Sequence, residues 1–135
     1  MQRTRTRVRQ LSPTDTIPFS SLQRGGVPIG WENLTLDPEW TWISENGSGI
    51  TGLLICGYCF PFLLILRIAA TPTASPATPL LLLRQAMRDA RRRGLVGYLT
   101  FLSDSAAAEG ALMRIVQRAD GQILPSSGAW AFGKL

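Results

Sequence analysis

The stretch Leu66–Gly94, LRIAATPTASPATPLLLLRQAMRDARRRG, decides how this chain is read. An apolar run ends at Ala70, a loop of Thr, Pro, Ala and Ser follows, and a helical pattern begins at Pro79. Leu82, Leu83, Ala86, Met87 and Ala90 fall on one helical stripe, with Arg84, Arg88, Arg91 and Arg92 mostly outside it. Pro79 suits the first helical position, arginines favour the negative end of a helix, and Gly94 suits the stop. Strand, loop and helix in this order form the layout of a phosphate-binding turn. There, unpaired N–H groups and the positive end of the helix dipole face an anion. The loop holds no glycine, however, and Pro76 and Pro79 have no N–H to offer.

Upstream, RTRTRVRQL alternates as a strand, with Arg3, Arg5, Arg7 and Arg9 on one basic face, as expected at a sheet edge. SPTD then announces a short helix, with Ser12 as cap, Pro13 first and Asp15 near the positive end. EWTWIS, ENGSG and ITGLLICGYC predict a hairpin whose strongest turn element is Asn46-Gly47. PFLLILRIAA predicts a strand too continuously apolar to have a solvent face. Downstream come a strand in LVGYLTFLS, a second helix in SDSAAAEGALMRIVQRADG, and short strands in QILP and GAWAFGKL. The expected order is β-α-β-β-β-α-β-α-β-β. That is an α/β fold with a mixed, largely antiparallel sheet flanked by helices, in one domain spanning residues 1–135.

Composition narrows the chemistry. The chain has 135 residues, 45% of them apolar, which is enough for one buried core. The net charge of +5 is carried almost wholly by arginine, Lys134 being the single lysine. This balance suits nucleic acid, acidic proteins or phosphorylated ligands without choosing among them. There is no histidine, which removes Ser-His and Cys-His pairs and the commonest general base. Cys56 and Cys59 are the only cysteines; they lie in a strand-like run and read as buried free thiols, with no metal site implied. No apolar core follows the basic N-terminus within its first 25 residues, so a secretory signal is not expected. Ile50–Leu66 is 17 uncharged residues, but Gly52, Gly57 and Pro61 make it read as two buried strands and not as a membrane span. A cytoplasmic location is expected.

Several stretches resemble the GNAT-type (GCN5-related) N-acetyltransferases. VRQLSPTD is similar to their opening strand and helix cap. Leu66–Leu95 is similar to their central strand, pyrophosphate loop and helix, and GYLTFLSDSAAAEGALMRIV to the strand and helix that follow. The resemblance implies that acetyl-CoA lies with its pyrophosphate at the loop and its pantetheine between the strands containing LRIAA and LTFLS. Ile68, Ala69, Ala70, Ala74, Ser75, Ala77, Thr78 and Arg84 are the cofactor-binding positions so implied. Counted back from ARRRG, the family's R-G-x-G-x-G falls on Ala74–Pro79, so its basic residue and all three glycines are replaced. The family's helical tyrosine, a proton donor to the leaving thiolate, is replaced near Met113 and Gln117. Glu32, Glu45 and Asp104 are the carboxylates left as candidate bases for an amine acceptor.

Two functions follow from the resemblance. One is an acyl-CoA-dependent N-acyltransferase in which an amine attacks the thioester directly, a reaction that needs neither His nor Cys. The other is a catalytically inactive module of the same fold, such as a phage virion or assembly component or a homo-oligomer. Its contacts would be made by Arg3 to Arg9 and by Arg91, Arg92 and Arg93. The same arginines suit a nucleic-acid partner, although no aromatic-basic stacking pattern accompanies them.

Overall fold

The structure is a computed structural model that describes residues 5–24, 27–28, 36–102, 122–124 and 129–134. A single sheet organises them, with strands β1 (Arg7–Gln10), β2 (Gln23–Arg24), β3 (Val27–Pro28), β4 (Thr41–Asn46) and β5 (Gly49–Cys59). It continues with β6 (Phe62–Ala70), β7 (Gly97–Leu102), β8 (Gln122–Leu124) and β9 (Ala129–Lys134). Helix α1 (Thr78–Arg92) joins β6 to β7. The strand order is β1-β4-β5-β6-β7-β9-β8, with β2 paired to both β3 and β6. Among the described strands only β6 and β7 run parallel, as the crossover through α1 requires. The mixed α/β expectation therefore holds, and β1 is indeed an edge strand.

α1 buries Leu82, Leu83, Ala86 and Ala90 against Trp42, Leu54, Cys56, Leu63, Ile65 and Tyr98. Each fully buried leucine contributes roughly 1.5–3 kcal/mol. The opposite face carries a second cluster of Leu22, Ile43, Leu53, Ile55 and Ala69. Polar ties fix the helix as well: the Trp42 indole donates to Asp89 Oδ2 at 2.8 Å, and the Gln85 amide donates to Asp89 Oδ1 at 3.0 Å. At the helix end Gly94 adopts φ +90°, as a stop glycine should.

Several expectations need correction. SPTD forms a turn and not a helix: the Asp15 amide donates to the Ser12 carbonyl at 3.0 Å, and Asp15 Oδ2 accepts from the Ser12 amide at 2.7 Å. The Asp15 carboxylate is held by Arg9, so it caps a turn instead of a helix. Only a single 3-10 turn, Phe19–Ser21, follows before β2. In the β4–β5 hairpin the loop residues are Gly47 and Ser48; Asn46 accepts from the Ser48 amide, and the left-handed glycine is Gly49 at φ +117°. Cys56 is buried, but Cys59 is exposed at the strand end. β6 does have a solvent-facing residue, Leu66, which is 54% exposed.

Ile50–Leu66 falls on β5, β6 and the Phe60-Pro61 turn, whose peptide bond is cis. Among the described residues no helix is long and apolar enough to cross a membrane. The predicted second helix lies outside the described residues, as do Glu32, Asp104, Met113 and Gln117.

Candidate functional site

The fate of β6 beyond Ile65 defines the site. Its pairing with β7 runs from Phe62–Gly97 to Ile65–Thr100 and stops there, although β6 continues five residues further to Ala70. β7 meanwhile keeps its antiparallel pairing with β9 out to Leu102–Ala129. Two parallel strands that begin hydrogen-bonded therefore end apart.

The cause is legible in the register. Against β5, Arg67 pairs with Ile55 but Ile65 pairs with Cys56, so Leu66 is an extra residue with no partner. Such a bulge bends its strand and increases the local twist. It also switches side-chain parity: Leu63 and Ile65 face α1, and after the bulge Ile68 does so. Thr100 completes the divergence, its buried hydroxyl donating to the Ile65 carbonyl at 3.0 Å. A side chain thus satisfies the acceptor at the last rung.

Beyond that rung, among the described residues, the backbone of β6 has a free side up to Ala70. The Thr71 amide donates to the Thr51 carbonyl, so by alternation Arg67 and Ala69 direct their backbone groups to β5. Ile68 and Ala70 direct theirs to the side that β7 has left. Gln23 of β2 pairs with Ala70 there, which closes the far end of the edge and leaves Ile68 between Gln23 and Thr100. The three residues Ile68, Ala69 and Ala70 named from sequence thus stand on the diverging strand, Ile68 and Ala70 with their backbone toward the gap.

The loop is a poorer anion cradle. Ser75 turns its acceptors inward: its carbonyl takes the Thr78 amide at 2.9 Å, and its hydroxyl takes the Ala77 amide at 3.3 Å. The Ala74 amide is bonded to the Thr71 carbonyl. Pro72, Pro76 and Pro79 have no amide hydrogen. Of the loop amides, those of Thr73 and Ser75 have no acceptor among the described residues, and neither has that of Leu80 in the first turn of α1. Thr78 is fully buried, and its hydroxyl oxygen has no partner among the described residues. Its methyl group packs where α1 meets β5, 2.8 Å from the place a Cβ on Gly52 would occupy. Arg84 is exposed on the outer side of α1 and does not reach back to the loop. No lysine or arginine lies between Arg67 and Arg84.

The one acid–base candidate among the described residues falls elsewhere. Glu45 lies on β4, two strands from β6, and accepts from Arg9 Nε at 3.0 Å. Arg9 also forms a two-pronged pair with Asp15, at 2.7 and 2.9 Å. The guanidinium holds the Asp15 carboxyl below its usual range, and both carboxylates raise Arg9 further above its already high value. Arg9 is therefore tied down and is not part of a free basic face; Arg5 and Arg7 remain exposed. Arg93 lies over the Trp40 ring, 4.7 Å from its centroid, and donates to the Glu39 carbonyl. Arg91 and Arg92 are exposed. The Tyr98 hydroxyl is buried without a partner among the described residues, and desolvation raises its pKa. Burial likewise pushes the Cys56 thiol up.

Sequence reasoning missed the Leu66 bulge, the Thr100 hydroxyl and the Gln23–Ala70 pairing. The isolated Thr within LTFL was the one available signal. The others depend on register, which a continuously apolar strand does not encode.

No family model matches the sequence, and no curated protein matches it. Solved structures do resemble the fold. Ard1 from Thermoplasma volcanium superposes with a TM-score of 0.71 at 13% identity, covering 96% of this chain and 97% of that one. The ribosomal-protein-S18-alanine N-acetyltransferase from Escherichia coli gives 0.69 at 9% identity, covering 96% and 94%. The PaiA N-acetyltransferase from Thermoplasma acidophilum, in complex with coenzyme A, gives 0.59 at 11% identity; the match covers 70% of this chain and 60% of that one. The chain thus has the GNAT-type acyl-CoA N-acyltransferase fold.

Proposed function

We propose that this protein is an N-acyltransferase that takes its acyl group from a pantetheine thioester held between β6 and β7. The observation that carries the reading is the end of β6–β7 pairing at Ile65–Thr100, forced by the extra residue Leu66. Pantetheine carries two amides, and the outward backbone of Ile68 offers a donor and an acceptor to such a chain. That part of the donor fits this site. The diphosphate of coenzyme A does not: the loop has two prolines, with a third in the first turn of α1, most of its amides are bonded within the fold, and it has no basic residue.

The thioester supplies an activated carbonyl to an amine acceptor. The protein's part is positional: Ile68 orients the arm, while Gln23 and Thr100 bound the exposed edge at either end. Holding donor and acceptor together is itself a large share of the catalysis in such a transfer. Glu45, engaged by Arg9, has no part in this reading, and Glu32 and Asp104 remain proposed bases.

The inactive-module reading has one observation in its favour, the self-bonded loop. A transfer assay separates the two, using acetyl-pantetheine and acetyl-CoA with a panel of primary amines, on wild type and Ser75→Glu. Acetyl transfer from both donors, with kcat/KM values within about tenfold and little effect of Ser75→Glu, supports the enzyme. Folded protein that transfers from neither donor at millimolar concentration leaves the inactive module.

A further inference from the structure

The mismatch between a gap that suits pantetheine and a loop that does not suit a diphosphate asks how the donor is held. The outer face of α1 offers an answer. Arg84, Arg88, Arg91 and Arg92 lie at spacings of four, seven and eight from the first, so they share one face of the helix, opposite the buried Leu82, Leu83, Ala86 and Ala90. All four are exposed. Arg84, Arg88 and Arg91 have no partner among the described residues, and Arg92 has only a 3.9 Å contact with Asp89. The helix dipole accounts for arginines in the last turn, Arg91 and Arg92. It does not account for Arg84 and Arg88, which stand in the middle of the helix and add repulsion to the row.

We propose that this row docks an acidic protein that carries the acyl group on a phosphopantetheine arm, and that this partner, and not free coenzyme A, is the preferred donor. The inference rests on the acyltransfer reading of the gap. Charge complementarity selects the occupant: four arginines in a row on a chain of net charge +5 call for an anionic surface. α1 starts at the loop beside the diverging strands, so a partner seated along it stands next to the gap. An arm attached to a protein also ends in a single phosphodiester, which asks less of the Thr71–Ala77 loop than a diphosphate does. The partner's surface charge replaces the anchoring that the loop lacks. In the transfer the amine nitrogen bonds the acyl carbon and the carbon–sulfur bond breaks. The proton lost by nitrogen ends on the released thiol of the arm.

The test uses the full chain, an acidic acyl carrier protein in apo and acetylated forms, acetyl-pantetheine, and a single-stranded RNA oligonucleotide. Binding and transfer are compared for wild type, Arg88→Glu/Arg91→Glu and the milder Arg88→Gln/Arg91→Gln. The expected result is carrier-protein binding that the Glu variant weakens at least tenfold and the Gln variant weakens less. Transfer from the acetylated carrier protein should fall in parallel, with transfer from acetyl-pantetheine unchanged. Equal carrier binding by wild type and the Glu variant overturns the proposal, and so does RNA binding tightly where the carrier protein does not. Turnover of acetyl-pantetheine without any preference for the carrier protein overturns the docking and leaves the gap intact. Carrier binding that depends on the arginines, with no thioester consumed from any donor, supports the surface and overturns the acyltransfer reading.

Discussion

The Thr100 hydroxyl donates to the Ile65 carbonyl across 3.0 Å at the last paired rung between β6 and β7. It satisfies a buried acceptor at the point where the next strand turns away. A buried carbonyl that loses its partner costs about 1–3 kcal/mol. Thr100→Val keeps the shape and removes the donor, so stability should fall by roughly that amount, as read from the urea unfolding midpoint. Thr100→Ser should retain most of it.

Gly52 lies under the start of α1. A Cβ there would stand 2.5 Å from Ser44 Oγ, 2.8 Å from Thr78 Cγ2 and 3.1 Å from Leu82 Cδ1. Gly52→Ala must therefore push the first turn of α1 off the sheet, at about 1–3 kcal/mol. The same displacement moves the loop beside the gap, so the variant should lose donor affinity as well as thermal stability. Wild-type affinity in the variant would show that the loop and helix start are not coupled to the gap.

Arg9 joins Asp15 and Glu45 on one face of the sheet edge. Because Asp15 titrates below its ordinary 3.8 in the folded protein, its contribution is fully present above that value. It is lost as pH falls through the lower folded value. Asp15→Asn should thus be less stable than wild type at pH 7, and the difference should shrink toward pH 3. A difference that grows with acidity would contradict the assignment. For so partly exposed an ion pair the neutral-pH effect should be on the order of 1 kcal/mol.

The two cysteines should separate cleanly under a thiol reagent. Cys59 is exposed, while Cys56 is buried and its thiol is held protonated by that burial. One equivalent should react in the native protein and two in denaturant, and Cys59→Ser should abolish the native reaction.

The strand–loop–helix order, the helix stripe and the stop at Gly94 were legible because they depend on local chemistry and periodicity. Leu82, Leu83, Ala86 and Ala90 are buried where the 3.6-residue pattern puts them. The SPTD helix was not, because Asp15 has a better partner in the Arg9 guanidinium, which the chain brings to within 2.7 Å by folding back after β1. The gap itself was invisible in a different way. LLILRIAA reads as one uninterrupted strand, and only its pairing with β5 shows that Leu66 has no place in the ladder. Glu45 looked like a free carboxylate for the same reason: its engagement comes from across the β1–β4 pair.

The most direct test of the central claim is an NMR titration of the labelled protein with an unreactive thioether analogue of acetyl-pantetheine. If the gap between β6 and β7 holds the arm, the amides of Ile68, Thr100 and Leu102 shift together and saturably, and those of Glu45 and Arg9 do not. Shifts confined to the outer face of α1, or no shifts at millimolar ligand, would contradict the account.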